Sequence, residues 1–278
     1  MYILCLFVNK DTLKQKQGKK MAKKKKRLSK AGKLILDVIM VAALGVAGYS
    51  GYQIYSETKE DRDGAAAYED MRNQAAKSAE GIIDFTEEEV GIDWDYLRSV
   101  NEDIAGWIRL DDSVIDYPFV YSPDNSFYLR KLMDGTYNKN GTIFVDYRNQ
   151  RYFQDRVTVL YGHHMHSGAM FADIEKYKEP GYYESHKVIQ IFTPDQNYEM
   201  RPIAGYVTTG TSNYIRISFE NDEDYLNYVQ GICDRSAFQS EDVVNAEDKI
   251  ILISTCSYDV KDGRFVMIGK LVPVNGAN

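Results

Sequence analysis

The sequence predicts a mostly β fold, a barrel or a sandwich, which follows a helix that can span a membrane. Two observations support this prediction. From about residue 104, short runs of β-branched and aromatic residues alternate with turn signals, and this spacing is typical of an all-β barrel or sandwich. Before them, residues 34–55 form an apolar stretch with a single charge, Asp37, and about 20 apolar residues are enough to cross a bilayer as a helix.

The predicted strands are interrupted by one helix and preceded by another. Asn221 is a predicted N-cap, because acidic residues follow it in the first turn, where they favour the positive end of the helix dipole. A shorter helix is predicted around residues 94–100, after a capping-box pattern formed by Thr86 and Glu89. The strands are predicted at residues 106–110, 142–146, 157–161, 187–193, 199–208, 249–256 and 264–272.

Basic residues are concentrated at the N-terminal end of a chain whose net charge is −7. Twelve of the 34 Lys and Arg residues precede residue 56, where only Asp11 and Asp37 oppose them. Because the cytoplasmic flanks of membrane helices are enriched in Lys and Arg, we expect the N-terminus to lie inside the cell. The acidic remainder of the chain argues against nucleic-acid binding.

Residues 56–80 are predicted as a stalk, since they are rich in Glu, Ala, Lys and Asp without a consistent apolar face. A cleaved signal peptide is the alternative to a membrane anchor, because Ala47 and Gly48 are small residues late in the apolar run. Met21, directly before the lysine run, is an alternative start. The expected regions are a cytoplasmic basic tail at 1–33, a single-pass transmembrane signal anchor at 34–55, a stalk at 56–85 and an extracytoplasmic catalytic domain at 86–278.

The three cysteines do not form a disulfide framework. Cys5 would lie on the other side of the membrane from Cys233 and Cys256. A bridge between those two stays open, but a free thiol outside the cell is unusual and suggests chemistry. Cys233 falls on the apolar stripe of the helix after Asn221, where packing explains it.

Cys256, Arg264 and His163 each lie where a predicted strand meets a turn. The apolar run at 250–253 ends in small polar residues directly before Cys256, and Arg264 opens the next strand after the hairpin signal Asp262–Gly263. If residues 257–263 form the loop, Cys256 and Arg264 face each other with their Cβ atoms about 5 Å apart. His163 follows another apolar strand.

These three residue types fit acyl transfer. A thiol needs a nearby base or cation to become a thiolate, and an imidazole can return the proton to a leaving amine. A guanidinium stays protonated and cannot act as a general base. It can stabilise the oxyanion that forms when the thiolate attacks a carbonyl.

The motif around Cys256 resembles the active-site signature of sortases, which reads Thr-Leu-x-Thr-Cys with an Arg several residues later. The chain has Leu252–Ile253 in place of the first Thr-Leu, and it keeps Thr255, Cys256 and Arg264. Tyr161–Gly162–His163 is similar to the Gly-His element of the same family.

Further motifs resemble class B sortases in particular. They are Gly-Trp-Ile at 106–108, Ile-Asp-Tyr-Pro at 115–118, Gly-Thr-Ile-Phe-Val-Asp-Tyr-Arg at 141–148, and the helix from Asn221. The resemblance covers about residues 90–273. It implies a closed eight-stranded β-barrel with an N-terminal helix and one inserted helix, preceded by the transmembrane helix.

The resemblance also implies a membrane-anchored cysteine transpeptidase that acts on secreted proteins. Cys256 would attack the Thr carbonyl of a C-terminal sorting motif, and an amino group of peptidoglycan precursor or of a protein such as a pilin would resolve the acyl-enzyme. His163 would be the general acid and base, and Arg264 would stabilise the oxyanion or substrate. Ser254 and Thr255 would form wall contacts with the bound peptide. No cofactor or metal is implied.

Three alternatives stay open at this point. His163, His164 and His166 form a cluster that suggests a metal, but a zinc site needs three or four convergent ligands, and His186 is the only other histidine. An L,D-transpeptidase-like enzyme would place a Ser-His-Gly run before its cysteine, and no such run precedes Cys256. A non-catalytic surface-binding module would lack one of the Cys, His and Arg residues. We therefore expect His164 and His166 to be dispensable.

Overall fold

The first element of the computed structural model is a long helix, α1 (Lys30–Glu80), and the structure describes residues 29–80 and 91–274. The chain divides into two units, residues 1–54 and 55–278. In the first unit the apolar side chains of α1 are exposed, including Leu36, Val41 and Leu44. By length and composition, α1 is the one helix in the described part of the chain that could cross a membrane, and it includes the predicted span.

In the second unit α1 carries a narrow buried stripe. Tyr68, Met71 and Ala75 are spaced three and four residues apart and are each less than a tenth exposed. The Tyr68 hydroxyl donates to the carbonyl of Gly141 at 2.6 Å. The expectation that residues 56–80 have no apolar face is therefore wrong. The stripe was missed because its only large side chains, Tyr68 and Met71, stand among alanines and charged residues.

The second helix, α2 (Trp94–Val100), confirms the helix predicted there. Asp93 caps it by accepting a hydrogen bond from the backbone N–H of Tyr96 at 2.8 Å. Leu97 is fully buried against the domain. The capping-box residues Thr86 and Glu89 lie outside the described residues.

The described residues of the second unit contain eight strands that close into a barrel, which confirms the predicted fold. The strands are β1 (Ile104–Arg109), β2 (Asp116–Tyr121), β3 (Ile143–Val145), β4 (Val157–Tyr161), β5 (Ile189–Phe192), β6 (Tyr198–Thr209), β7 (Ile250–Ser257) and β8 (Gly263–Pro273). Their order around the barrel is β1-β2-β3-β4-β7-β8-β6-β5. Two neighbouring pairs are parallel, β2 with β3 and β4 with β7, and the others are antiparallel.

The inserted helix explains why β7 and β8 are apolar on both faces. Ile251 and Ile253 of β7 point into the barrel core, whereas Ile250 and Leu252 point outward. The outward residues pack under α4 (Asp222–Cys233), which confirms the helix predicted after Asn221. The remaining short elements are α3 (Tyr182–Ser185) and three 3₁₀ segments, Phe127–Arg130, Arg151–Phe153 and Ala172–Lys178.

Candidate active site

Cys256 and Arg264 are direct partners across the β7–β8 ladder, as the loop length predicted. The turn between them requires a glycine at position 263, because a Cβ there would lie 2.4 Å from the carbonyl oxygen of Ser257. Arg264 is half-buried. Its Nη1 donates to the Gly263 carbonyl at 2.8 Å and lies 3.1 Å from Oδ1 of Asp262. These contacts fix the guanidinium at the end of β8, on the strand position that pairs with Cys256.

The alternation of side chains along β7 places the thiol on the outer face of the barrel. Cys256 has the same parity as Ile250 and Leu252, which face outward. Cys256 is half-buried, whereas Ser254 and Thr255 are almost completely buried. The accessible end of β7 is therefore the cysteine.

Ser254 and Thr255 are both engaged within the chain. The Ser254 hydroxyl and the Tyr214 hydroxyl lie 2.9 Å apart. The Thr255 hydroxyl donates to the carbonyl of Gly162 at 2.8 Å. Their predicted contact with the substrate stays a prediction, and their hydrogen bonds fix the neighbours of the site.

His163 follows β4, which runs parallel to β7 and pairs Tyr161 with Ser254. The ring Nε2 lies 2.7 Å from the carbonyl oxygen of Leu129. Because a carbonyl only accepts, Nε2 carries the hydrogen, and in the neutral ring Nδ1 keeps the free lone pair. Burial lowers the pKa of His163 below its usual value. The ring is thus a neutral base near neutral pH.

Close packing explains the glycine before this histidine. A Cβ at Gly162 would lie 2.4 Å from the ring of Phe171. The Phe171 backbone N–H donates to the His163 carbonyl at 2.8 Å. The chain can therefore turn sharply at the end of β4 and carry His163 away from the ladder.

The other histidines point to separate partners. Nδ1 of His164 lies 2.9 Å from Oε2 of Glu175, His166 stacks on Tyr258 at 4.2 Å, and His186 stacks on Tyr182 at 3.9 Å. Within residues 29–80 and 91–274, no group of three or more His, Cys, Asp or Glu side chains is arranged to hold a metal ion. A histidine-rich metal site therefore gains no support from the described residues.

Two buried carboxylates near the site were not predicted from the sequence. Asp146, at the end of the 141–148 motif, accepts from Arg148 Nη2 at 2.6 Å and from the Tyr161 hydroxyl at 2.8 Å. Burial acts to raise the pKa of Asp146, but these hydrogen bonds hold it below its usual value. Glu175 lies on the inner side of β7 and is 6% exposed. The 141–148 motif includes Asp146 but did not show its burial, and no local pattern marked Glu175, because Tyr161 and Ser257 reach these carboxylates from distant segments.

Cys233 lies apart from this arrangement, on α4 in the outer apolar cluster. Burial raises the pKa of the Cys233 thiol above its usual value, so it is protonated and unreactive near neutral pH. Cys233 and Cys256 are both free in the structure, so the bridge left open by the sequence is not formed.

Comparison with known proteins agrees with this geometry. No family model matches the sequence. Sortase B of Staphylococcus aureus is 31% identical over 243 residues, which cover 87% of this chain and 97% of that protein. Sortase B of Listeria monocytogenes is 34% identical over 236 residues, which cover 84% of this chain and 95% of that protein.

Solved structures give the same result. The S. aureus sortase B–substrate complex superposes with a TM-score of 0.70 at 30% identity, over 78% of this chain and all of that chain. Identity above 30% across most of both sequences, together with the shared closed barrel, is sufficient to assign the family. The chain belongs to the sortase B family and is a cysteine transpeptidase of that family.

Proposed function

We propose that this transpeptidase cleaves a C-terminal sorting motif of secreted proteins after Thr and joins the new acyl end to an amino group of the cell wall or of another protein. The observation that carries the proposal is the cross-strand pair of Cys256 and Arg264, next to the strand end that bears His163. A thiol, a base and a fixed cation are the groups that acyl transfer through a thioester requires.

In the first half-reaction His163 takes the proton of the Cys256 thiol on Nδ1, and the thiolate attacks the Thr carbonyl carbon. The oxyanion that forms is stabilised by N–H groups of Arg264, whose guanidinium has five such hydrogens. When the C–N bond breaks, the imidazolium returns its proton to the leaving amine. The product is a thioester between Cys256 and the secreted protein.

In the second half-reaction an incoming amine attacks the thioester carbonyl. His163 accepts a proton from that amine, and the C–S bond breaks to release the Cys256 thiolate, which takes the proton back. A new amide bond is formed, so that neither a cofactor nor an energy source is consumed. Water can replace the amine, in which case the reaction is hydrolysis.

The substrate-binding role of Ser254 and Thr255 is proposed in a narrower form. Both side chains are buried and hydrogen-bonded to Tyr214 and to the Gly162 carbonyl. We infer that they shape the peptide site by fixing these two neighbours. The S. aureus relative has been solved as a substrate complex, which supports a peptide site on this barrel.

We also propose that residues 34–55 anchor the enzyme as a single-pass membrane protein. The apolar surface of α1 in the first unit and the lysine-rich flank before it support this. The N-terminus would then be cytoplasmic and the barrel extracytoplasmic, on the side where secreted proteins and peptidoglycan precursors are found.

The test is to incubate the full-length protein in detergent with a library of short C-terminal motif peptides, with and without an added peptide amine. We expect cleavage of a subset of peptides after Thr, and transfer products when the amine is present. Cys256→Ala should abolish both. Cleavage that persists in Cys256→Ala, or that never yields an amide product, would contradict the proposal.

A further inference from the structure

We propose that His164 and Glu175 are positioning residues that fix the backbone of Cys256, with the His164 ring supplying a hydrogen-bond donor that β4 no longer supplies. The inference rests on the proposed role of Cys256 as the nucleophile. It concerns the opposite side of the strand from the thiol, where neither residue need touch the substrate.

The parallel ladder between β4 and β7 ends just before the nucleophile. The last paired residues are Tyr161 and Ser254, and the Gly162 N–H still reaches the Ser254 carbonyl at 3.4 Å. In a continued parallel ladder the next donor would be a backbone N–H two residues later, at position 164, and its acceptor would be the carbonyl of Cys256. The chain turns away after Gly162, so this backbone donor is lost.

The His164 side chain takes the place of that donor. Its Nδ1 lies 3.1 Å from the Cys256 carbonyl oxygen and 2.9 Å from Oε2 of Glu175. Both partners are acceptors, so Nδ1 must carry a hydrogen, which fixes the tautomer of the ring. A fixed tautomer gives the Cys256 carbonyl a donor that does not depend on the backbone of β4.

Glu175 holds the ring in this orientation. The carboxylate is buried, and its Oε1 accepts from the Ser257 hydroxyl at 2.5 Å and from Nζ of Lys178 at 2.9 Å. A buried carboxylate is tolerated only when donors or cations surround it. Here Ser257 and Lys178 donate to Glu175, and the His164 ring lies 2.9 Å from its other oxygen. Because Ser257 follows Cys256 directly, the same carboxylate fixes the strand on the C-terminal side of the nucleophile.

Two further contacts connect the segments of His164 and Glu175 to the β7–β8 loop. The Tyr258 hydroxyl donates to the His164 carbonyl at 2.7 Å, and Lys178 pairs with Asp259 at 2.7 Å. The loop that leads to Arg264 is therefore attached to the segment that carries His164 and to the one that carries Glu175. Cys256 lies between two anchored neighbours, Thr255 and Ser257.

The consequence is geometric. Displacing a reacting group by about 1 Å can cost about 10²-fold in rate, and the His164–Glu175 pair restrains the Cα from which the thiol projects. The sequence led us to expect that His164→Ala would be tolerated. The contacts of the His164 ring lead us to expect instead that His164→Ala loses activity. His166 stacks on the exposed Tyr258, so we still expect His166→Ala to be tolerated.

The experiment compares His164→Asn, His164→Gln and His164→Ala in the full-length protein, using a peptide that the wild type cleaves. The amide nitrogen of Asn can occupy the position of Nδ1, whereas that of Gln projects one bond further. We expect Asn to retain kcat within about threefold and Gln and Ala to lose about ten- to a hundredfold in kcat with little change in KM. The pH dependence of Cys256 alkylation by iodoacetamide should be the same in all variants, because the thiol chemistry is unaltered.

A second readout does not depend on variants or turnover. In ¹⁵N-histidine-labelled wild-type protein, we expect the His164 signals to show a hydrogen on Nδ1. A ring protonated only on Nε2, full activity of His164→Ala, or equal loss in Asn and Ala would each overturn the inference. A shift in the alkylation profile would overturn it too, because it would indicate an acid–base role. If Cys256→Ala retained cleavage, the proposed function would fail, while the ¹⁵N spectrum would still test the tautomer.

Discussion

His163 shows how a single backbone group can set the chemistry of a side chain. The Leu129 carbonyl holds the hydrogen on Nε2, and burial favours the uncharged ring. Leu129 itself lies in the 3₁₀ segment Phe127–Arg130, which is tied to the barrel by the Thr142 N–H and the Tyr128 carbonyl at 3.0 Å. The base is therefore oriented before substrate arrives.

The lowered pKa of His163 predicts the acidic limb of the pH–rate profile. A free histidine titrates at about 6.5, and burial disfavours the charged ring, so protonation of His163 requires a lower pH. We expect a bell-shaped kcat/KM profile whose acidic limb falls below about pH 6.5 and reports the protonation of His163. A His166→Gln control should leave this limb in place. An acidic limb at or above that pH would contradict the prediction.

Arg264 should not be replaceable by lysine. Lysine keeps the charge but loses the planar fork, and the loss of one oxyanion donor typically costs about 10²–10³ in rate. We expect Arg264→Lys to lose activity in that range, mainly in kcat. Arg201→Lys is the matched control, because Arg201 lies further along the barrel and pairs with Glu199. Equal activity of the two variants would show that Arg264 has no special role.

Site residues at strand ends could be predicted from the sequence, whereas residues that reach the site through the fold could not. Cys256, Arg264 and His163 stand at strand ends and beside a hairpin turn, and such positions can be read from local patterns. Leu129 acts through its carbonyl, which carries no residue signature. Glu175 contacts Ser257 across 82 residues of sequence, so only the folded barrel brings it to the site.

Among the elements, the β7–β8 hairpin depends on the layers on either side of it. Its inner face packs in the barrel core, and its outer face packs under α4. The thiol and the guanidinium therefore project from a ladder whose backbone is covered on both sides. This burial explains why the strand reads as a continuous apolar run that ends at Ser254.

The docking of α1 on the barrel can be tested through one hydroxyl. Tyr68→Phe leaves the buried Gly141 carbonyl without its 2.6 Å donor, which typically costs about 1–3 kcal/mol. We expect this loss in the free energy of unfolding, measured by urea titration of the full chain in detergent. Tyr147→Phe serves as the control because Tyr147 is 56% exposed. Equal stability of both variants would mean that the Tyr68 hydroxyl contributes nothing.

Two features were not predicted from the sequence, the strand β2 and the buried stripe of α1, and both have mixed signals. The strand β2 contains Pro118, which weakens a strand pattern because proline cannot donate to a ladder, yet it pairs opposite Trp107 in β1. The second half of α1 is dominated by charged residues and alanine, which hid its buried stripe. The helix α4 was predicted because its apolar residues recur at helical spacing, and β4 and β7 because they are short apolar runs rich in β-branched residues.

The family assignment decides between the functions that the sequence left open for this chain. It identifies a cysteine transpeptidase of the sortase B family, and not an L,D-transpeptidase-like enzyme or a non-catalytic binding module. The charge division of the chain is consistent with this assignment, because a basic N-terminal flank precedes an acidic remainder. A membrane anchor is the function that such a flank suggests.

The proposed orientation predicts the outcome of limited proteolysis. If the lysine-rich flank lies inside, protease added to intact protoplasts should digest the chain beyond residue 56. An epitope placed before residue 30 should be protected until the membrane is opened with detergent. Protection of the barrel in intact protoplasts would reverse the orientation and remove its access to secreted substrates.

The proposed reaction requires that Cys256 form a thioester with the substrate. The most direct measurement is intact-protein mass spectrometry of the full-length enzyme mixed with a cleavable peptide and quenched in acid, followed by mapping of the modified residue. We predict a mass increase equal to the acyl fragment, located on Cys256. It should be absent in Cys256→Ala and retained in Cys233→Ala. An adduct on Cys233, or peptide cleavage in Cys256→Ala, would contradict the account.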